Sequence, residues 1–126
     1  MKNVIKFIAI VLVSVAGYSQ NGPKIEFADA DNTIDYGRIS KSDNPVRSFE
    51  FTNTGNAPLI ITEAQSTLSS IIVTKPSAAI QPGKKGKIDV KYNMSAGPIR
   101  KTITVETNAV NYPDGRVALK IKGEVL

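Results

Sequence analysis

Apolar and polar residues alternate along several short stretches of the chain, and the clearest stretch leads into a turn. Over Phe49–Thr52 two phenylalanines alternate with a glutamate and a threonine, so one face is apolar and the other polar. This pattern predicts a strand that buries one side in a packed sheet. Residues 53–56, Asn-Thr-Gly-Asn, then favour a turn with side-chain-to-backbone hydrogen bonds and a positive φ. Because Leu59–Ala64 has the pattern of a second strand, we expect a hairpin-like corner here.

The same alternation recurs along most of the chain and predicts short strands without an amphipathic helix. The strongest turn signal between them is Asn111–Gly115, which combines a proline with an Asp-Gly pair. A β-branched run at Ile71–Thr74 ends just before Pro76, which is typical of an edge strand. The other predicted strands are Lys24–Phe27, Ile34–Ile39, residues 87–92, residues 102–106 and residues 117–122.

Seven or eight strands at regular spacing are typical of a single immunoglobulin-like antiparallel β-sandwich. The sequence contains no cysteine and no tryptophan, so this sandwich has no disulfide. We therefore expect an all-β domain that is stabilised by ordinary packing.

Residues 1–19 differ from the rest and have the pattern of a signal peptide, which leaves residues 20–126 as the sandwich domain. Two lysines precede an apolar run from Phe7 to Ala16, and small residues follow. A membrane anchor is the alternative, but the run is about half of the roughly 20 residues that a spanning helix needs. We expect cleavage after Ser19, export to the periplasm or the extracellular space, and no stable membrane span afterwards.

Charge is distributed unevenly over the predicted domain. Without the two lysines of the signal peptide, fourteen basic residues stand against eleven acidic ones, a net charge of +3. Residues 20–83 carry −2 and residues 84–126 carry +5. The mild total argues against a dedicated polyanion binder.

Basic residues of the second half could still form a cationic surface for a glycan, an anionic lipid or an acidic partner. Lysines on outward strand faces also protect sheet edges from aggregation, and we favour that interpretation. The residues are Lys84, Lys85, Lys87, Lys91, Arg100, Lys101, Lys120 and Lys122.

The sequence contains neither histidine nor cysteine, which limits the chemistry open to this chain. A Ser-His-Asp triad, a Cys-His nucleophile and every zinc site that needs His or Cys are excluded. We therefore predict a non-enzymatic protein with no catalytic, cofactor-binding or metal-binding residues and no cofactor.

An acidic loop ahead of the second predicted strand is the remaining candidate for chemistry. Asp29, Asp31 and Asp35 could be the carboxylates of a glycosidase, and with Asn32 they could be oxygen ligands for calcium. The spacing lacks the glycine and the glutamate of an EF-hand loop. Asp and Asn are also common in polar loops because they cap turns, which is the interpretation we favour. The sequence leaves calcium binding open.

Five motifs, in this order, resemble a known family. They are Asp35–Ile39, Phe49–Ile61, Ile80–Tyr92, Lys101–Asn108 and Leu119–Val125. Together they are similar to the secreted bacterial domain-of-unknown-function family fifteen-seventy-three, an immunoglobulin-like group related to sandwiches of the major-sperm-protein type. The resemblance implies a small exported β-sandwich with no established activity. The resemblance implies a Cys-Gly-Cys element in many members of the family, whereas this chain has Ser66–Ser70 at that place. A thiol or metal role is therefore not implied for this chain.

Two functions compete for such a domain. The first is a protein-interaction or structural module of the cell envelope, which binds another envelope or secreted protein or a second copy of itself. It would use a sheet edge at Ile71 or Ile72, or the loop from Gln65 to Pro76. The alternative is a carbohydrate- or ligand-binding module, for which Tyr112 is the one attractive exposed aromatic residue. No nucleic-acid partner is expected, because no aromatic residues interleave with the lysines.

Overall fold

Eight strands form two sheets in the computed structural model, which describes residues 21–126. The predicted signal peptide lies outside the described residues. Two short 3-10 turns, Ala30–Asn32 and Pro113–Gly115, interrupt the connections. Within residues 21–126, no helix is long and apolar enough to span a bilayer. The strands are β1 (Ile25–Phe27), β2 (Thr33–Ile39), β3 (Val46–Asn53), β4 (Ile61–Ser66), β5 (Ile72–Thr74), β6 (Lys85–Lys91), β7 (Gly97–Thr107) and β8 (Arg116–Val125).

The two sheets pack face to face as an immunoglobulin-like sandwich, which confirms the predicted fold class. Sheet A has the strand order β1-β3-β6-β5, and sheet B has the order β2-β8-β7-β4. Neighbouring strands run antiparallel, except that β2 and β8 run parallel. That parallel pair joins an early strand to the last one, which local alternation does not reveal.

Alternation along the strands places the apolar side chains between the sheets. Phe49 and Phe51 are fully buried, while Glu50 between them is exposed, as predicted. The ring centroid of Phe27 lies 6.4 Å from that of Phe49 and 5.6 Å from that of Phe51. β1 and β3 therefore share an aromatic cluster at one end of the core. Central strands add Ile88, Val90, Ile103, Val105, Leu119 and Ile121.

β7 is longer than the alternation predicts, because it begins at Gly97 instead of residue 102. Its pairing with β8 runs without interruption from Gly97 opposite Val125 to Glu106 opposite Arg116. Within the added segment Lys101 occupies an inward position and is half-buried. A lysine at an inward position breaks the apolar alternation, so the pattern starts only after it.

The corner after β3 is not the predicted hairpin. β3 pairs with β1 and β6 in sheet A, whereas β4 pairs with β7 in sheet B, so the chain crosses between the sheets. The expectation of a positive φ in this turn is also wrong, because none of residues 53–56 adopts one. Gly55 is needed for a close approach instead, since a Cβ there would lie 2.1 Å from the carbonyl oxygen of Gly22.

Asn53 holds this corner together from inside the core, where its side chain is fully buried. Its Nδ2 donates to the carbonyl oxygens of Ala57 and Ile80, both at 2.8 Å. Its Oδ1 accepts from the backbone N–H groups of Gly55 at 2.9 Å and Lys24 at 3.3 Å. The amide thus has all of its hydrogen-bonding capacity in use, and the polar turn is a structural element.

Candidate functional site

The two sheets have four edge strands, and two of them are irregular. The register shifts between Asp35 and Arg38 in β2 and between Ile61 and Glu63 in β4. Such bulges, together with charged side chains, interrupt the row of backbone groups that an added strand would need. Both edges of sheet B are therefore protected against pairing with another chain.

A side chain covers the outer edge of β1 in sheet A at Ile25. The Oδ1 of Asn111 accepts from the backbone N–H of Ile25 at 3.1 Å, and its Nδ2 donates to the carbonyl oxygen of Ile25 at 2.9 Å. The amide makes the two bonds that a residue of a neighbouring strand would make. Asn111 opens the predicted turn that ends in the 3-10 residues Pro113–Gly115, so the turn places the clamp.

β5 is the edge that neither a bulge nor a side chain closes in the described part of the chain. It pairs on one side with β6, through Ile72 with Lys91, Val73 with Val90 and Thr74 with Asp89. On its other side sheet A ends. A partner segment in extended conformation can add to such an edge through main-chain hydrogen bonds.

Two adjacent isoleucines at this edge have opposite roles. Ile71 is 4% exposed and belongs to the core, whereas Ile72 is 55% exposed. The prediction that either residue lies at an exposed edge is therefore wrong for Ile71, because alternation turns its side chain inward. Ile71 anchors the strand, and Ile72 presents an apolar surface beside the free edge.

An exposed apolar row extends from the free edge across sheet A. Ile72 on β5 and Val46 on β3 are both register partners of Lys91 on β6, and all three are exposed. The lysine contributes its aliphatic stem to the row and its ammonium group to the surface. In a strand added to β5, every second side chain would lie on the same face of the sheet as Ile72, and one of them would contact it.

The connection from β4 to β5 is held by local hydrogen bonds. The Ser66 Oγ accepts from the Leu68 N–H at 3.2 Å, and the Ile71 N–H donates to the Leu68 carbonyl oxygen at 3.1 Å. Asn93 Nδ2 donates to Ser70 Oγ at 2.8 Å, which ties the loop to the end of β6. The serine-rich segment thus has a structural task, which is to deliver β5 to the edge of sheet A.

Tyr112 is not the exposed aromatic residue that the carbohydrate hypothesis needs. Its side chain is half-buried and packs against the hydrophobic core. Its Oη accepts from Asn32 Nδ2 at 3.3 Å. The partly buried ring therefore offers a sugar less surface than the fully exposed aromatic residue that the sequence predicts.

The acidic loop does not gather its carboxylates. Asp31 and Asn32 adopt φ values of 55° and 53°, and the Oδ1 of Asp35 accepts from the Gly37 N–H at 2.8 Å. Among residues 21–126 there is no group of three or more His, Cys, Asp or Glu side chains that could hold a metal ion. The geometry of these residues is that of a turn.

The eight basic residues fall on opposite sides of the sandwich. Lys84 lies in the turn before β6, and Lys85, Lys87 and Lys91 are exposed on β6 in sheet A. The others belong to β7 and β8 in sheet B, where they are Arg100, Lys101, Lys120 and Lys122. No single cationic surface forms from the whole set.

Tyr36 is a buried titratable group near the Val46 end of the sandwich. Its Oη donates to the Pro45 carbonyl oxygen at 2.8 Å, and the Arg47 guanidinium lies 4.5 Å from its ring centroid. Burial raises the pKa of the Tyr36 phenol above its usual value, and the Arg47 charge partly opposes this. The neutral phenol is therefore the form that the fold favours.

Fold and edge together define a disulfide-free immunoglobulin-like domain with one open strand edge. Residues 25–125 match the family described as protein of unknown function (DUF1573), and the chain belongs to that family. This confirms the membership that the sequence motifs predict. No curated protein matches the chain in sequence.

Solved structures with a similar fold come from several kinds of protein. A protein of unknown function from Porphyromonas gingivalis W83 has a TM-score of 0.66 at 15% identity over 94% of this chain and 52% of its own. The YadV chaperone has a TM-score of 0.59 at 14% identity over 81% of this chain and 52% of its own. WR4, a member of the MSP family from C. elegans, has a TM-score of 0.52 at 11% identity over 85% of this chain and 100% of its own.

These likenesses show the fold, which the chain shares with a major-sperm-protein domain as the sequence motifs predict. The chain spans about half the length of the P. gingivalis protein and of YadV. At such identities the solved structures do not transfer an activity.

Proposed function

We propose that this chain is an exported, non-enzymatic module of the cell envelope that binds another envelope or secreted protein along β5. The observation that carries the proposal is the contrast among the four edges: β2 and β4 carry bulges, Asn111 covers the Ile25 groups of β1, and β5 has neither device. Strand addition uses the backbone for affinity and alternate side chains for specificity. Ile72 and the apolar row beside it supply the side-chain part.

The similarity to YadV supports a role in protein binding, because that protein is named as a chaperone. The non-enzymatic part rests on the residues that the chain lacks, since it has neither histidine nor cysteine. The export part rests on residues 1–19, with two lysines ahead of an apolar run. N-terminal sequencing of the mature protein from a cell-envelope fraction tests it, and a first residue at Gln20 is the expected result.

The edge is tested by affinity capture from envelope extract with a matched pair of variants. Ile72→Lys places a charge at the free edge. Ile60→Lys makes the same change at another exposed isoleucine, 46% exposed, just ahead of β4. We expect one specific partner with the wild type and with Ile60→Lys, and its loss with Ile72→Lys.

A photoreactive amino acid at position 72 should cross-link to that same partner, and mass spectrometry of the adduct should locate an extended segment of it. Equal capture by both variants would show that β5 is not the binding edge. A cross-link to a second copy of this chain would identify the partner as the protein itself.

A further inference from the structure

The outer face of sheet B contains a groove lined by cations. It has a volume of about 400 Å³ and lies over β7 and β8. Arg100, Lys120 and Lys122 line it together with Thr33 and Thr102. The groove is on the opposite sheet from β5, so it is separate from the proposed protein-binding edge.

Two of these cations oppose each other on neighbouring strands. Arg100 on β7 is the direct register partner of Lys122 on β8, and both side chains are exposed. Like charges at directly opposed positions destabilise a sheet. On the outer face of sheet A the direct partners Glu50 and Lys87 carry opposite charges. Sheet B therefore keeps an unfavourable pair that a bound anion would relieve.

No carboxylate of the described residues forms a direct ion pair with Arg100 or Lys122. Asp35 is the register partner of Lys122 on β2 and offsets part of its charge, while its Oδ1 accepts from the Gly37 N–H. The one ion pair within residues 21–126 joins Arg38 to Glu124. Arg100 and Lys122 can therefore turn towards a ligand without first breaking an ion pair.

We propose that this groove binds an anionic oligosaccharide that carries sulfate or phosphate groups. Such a group between Arg100 and Lys122 would accept charge-assisted hydrogen bonds from both. The next outward pair, Thr102 and Lys120, lies two residues along the strands, about 7 Å away. Thr33 is the register partner of Lys120 on β2. This second row offers hydroxyl and ammonium groups to the hydroxyls of the adjoining sugar.

Other anionic ligands fit the groove less well. A peptide cannot add here as a strand, because β7 and β8 are already paired on both sides. No aromatic side chain lines the groove, so a nucleobase has no stacking platform. The large exposed apolar residues of the described chain, which would help to insert into a membrane, do not line it either. They are Val46, Ile60, Leu68, Ile72 and Leu126.

Titration of the purified protein with a sulfated dextran oligosaccharide at low salt tests the proposal, with uncharged dextran of the same length as the reference. The groove variant is Arg100→Gln/Lys122→Gln. The control variant, Lys85→Gln/Lys87→Gln, removes the same charge from the outer face of sheet A. We expect the groove variant to bind at least about tenfold more weakly and the control to change less than about threefold. Binding should weaken as salt is added.

Thermal unfolding of both variants checks that they fold, and the groove variant should stay close to the wild type because it loses both the like-charge pair and the Lys122–Asp35 pair. Equal loss in both variants would reduce the effect to net charge and overturn the proposal. The proposal would also be overturned by an absence of binding or by equal affinity for uncharged dextran. Tighter binding to anionic lipid vesicles, or to an oligonucleotide of the same charge, would overturn it as well.

Discussion

The two edges of sheet A differ in whether a side chain covers their free backbone groups. On β1 the Asn111 side chain makes both hydrogen bonds to Ile25 that another strand would make. On β5 no side chain takes that place in the described residues, and Ile72 stands exposed beside it. The difference teaches that one amide can cover the outward backbone groups of a residue in an edge strand as short as three residues. An edge of the same length that lacks such a clamp is a candidate for binding.

The largest effect should come from removing the buried amide that holds the corner after β3 and the chain ahead of β1. Asn53→Ala leaves two carbonyl oxygens and two N–H groups without their partner in or near the core. We expect a loss of about 3–5 kcal/mol in the free energy of unfolding, measured by urea denaturation. Asn56→Ala, in the same turn but exposed, should cost about 1 kcal/mol or less because water replaces its bonds. Equal losses would mean that the corner does not depend on the buried amide.

The neighbouring isoleucines at β5 should separate stability from binding. Ile71→Ala opens a cavity in the core, so we expect a loss of about 2–4 kcal/mol in the free energy of unfolding. Ile72→Ala should stay within about 0.5–1 kcal/mol of the wild type, because its side chain already meets solvent. Denaturation of both variants decides this, and the reverse order would contradict the assigned orientation of β5.

Opening the β1 edge should make the two edges of sheet A alike. Asn111→Ala leaves the N–H and the carbonyl oxygen of Ile25 without their partner, so we expect a loss of about 1–2 kcal/mol. The exposed edge should also promote self-association at high concentration, which light scattering detects. Asn108→Ala removes another edge amide, next to Ile60, and serves as the control. Unchanged association of Asn111→Ala would show that β1 is too short to pair.

The smallest of the expected effects is a loss of stability at alkaline pH through the titration of Tyr36. Burial raises the pKa of Tyr36 in the folded protein, so its contribution to stability is present below pH of about 10 and is lost above it. Tyr36→Phe lacks this titration but also lacks the bond to Pro45. The stability curves of the two proteins should therefore converge as the pH rises. Parallel curves would contradict the raised pKa.

The sequence is sufficient to predict the strands whose alternation is local. Phe49 and Phe51 face inward as expected, and Lys87 and Lys91 flank the buried Ile88 and Val90. The start of β7 is not predictable in this way, because its length depends on pairing with β8 and not on its own alternation.

Features of the candidate sites depend on pairings between distant residues. Asn111 bonds to Ile25 across most of the chain, and Arg100 opposes Lys122 only once the register is known. A prediction from spacing alone therefore places the basic residues of both sheets on one surface. It also does not tell that Ile71 is buried and Ile72 exposed. Asn111, at the start of the Asn111–Gly115 turn, is the one feature of the sequence that points to its bonds with Ile25, since Asn side chains commonly bond to backbone groups.

The parallel pairing of β2 with β8 also determines the order in which the molecule can be completed. β2 is made early, yet its one strand neighbour in sheet B is β8, so sheet B stays unfinished until β8 has left the ribosome. Contacts between residues so far apart in sequence slow folding, because a long loop must close before they form. The protein is therefore expected to fold late and as a unit, and a chain that ends before β8 should remain unfolded instead of forming half a sandwich.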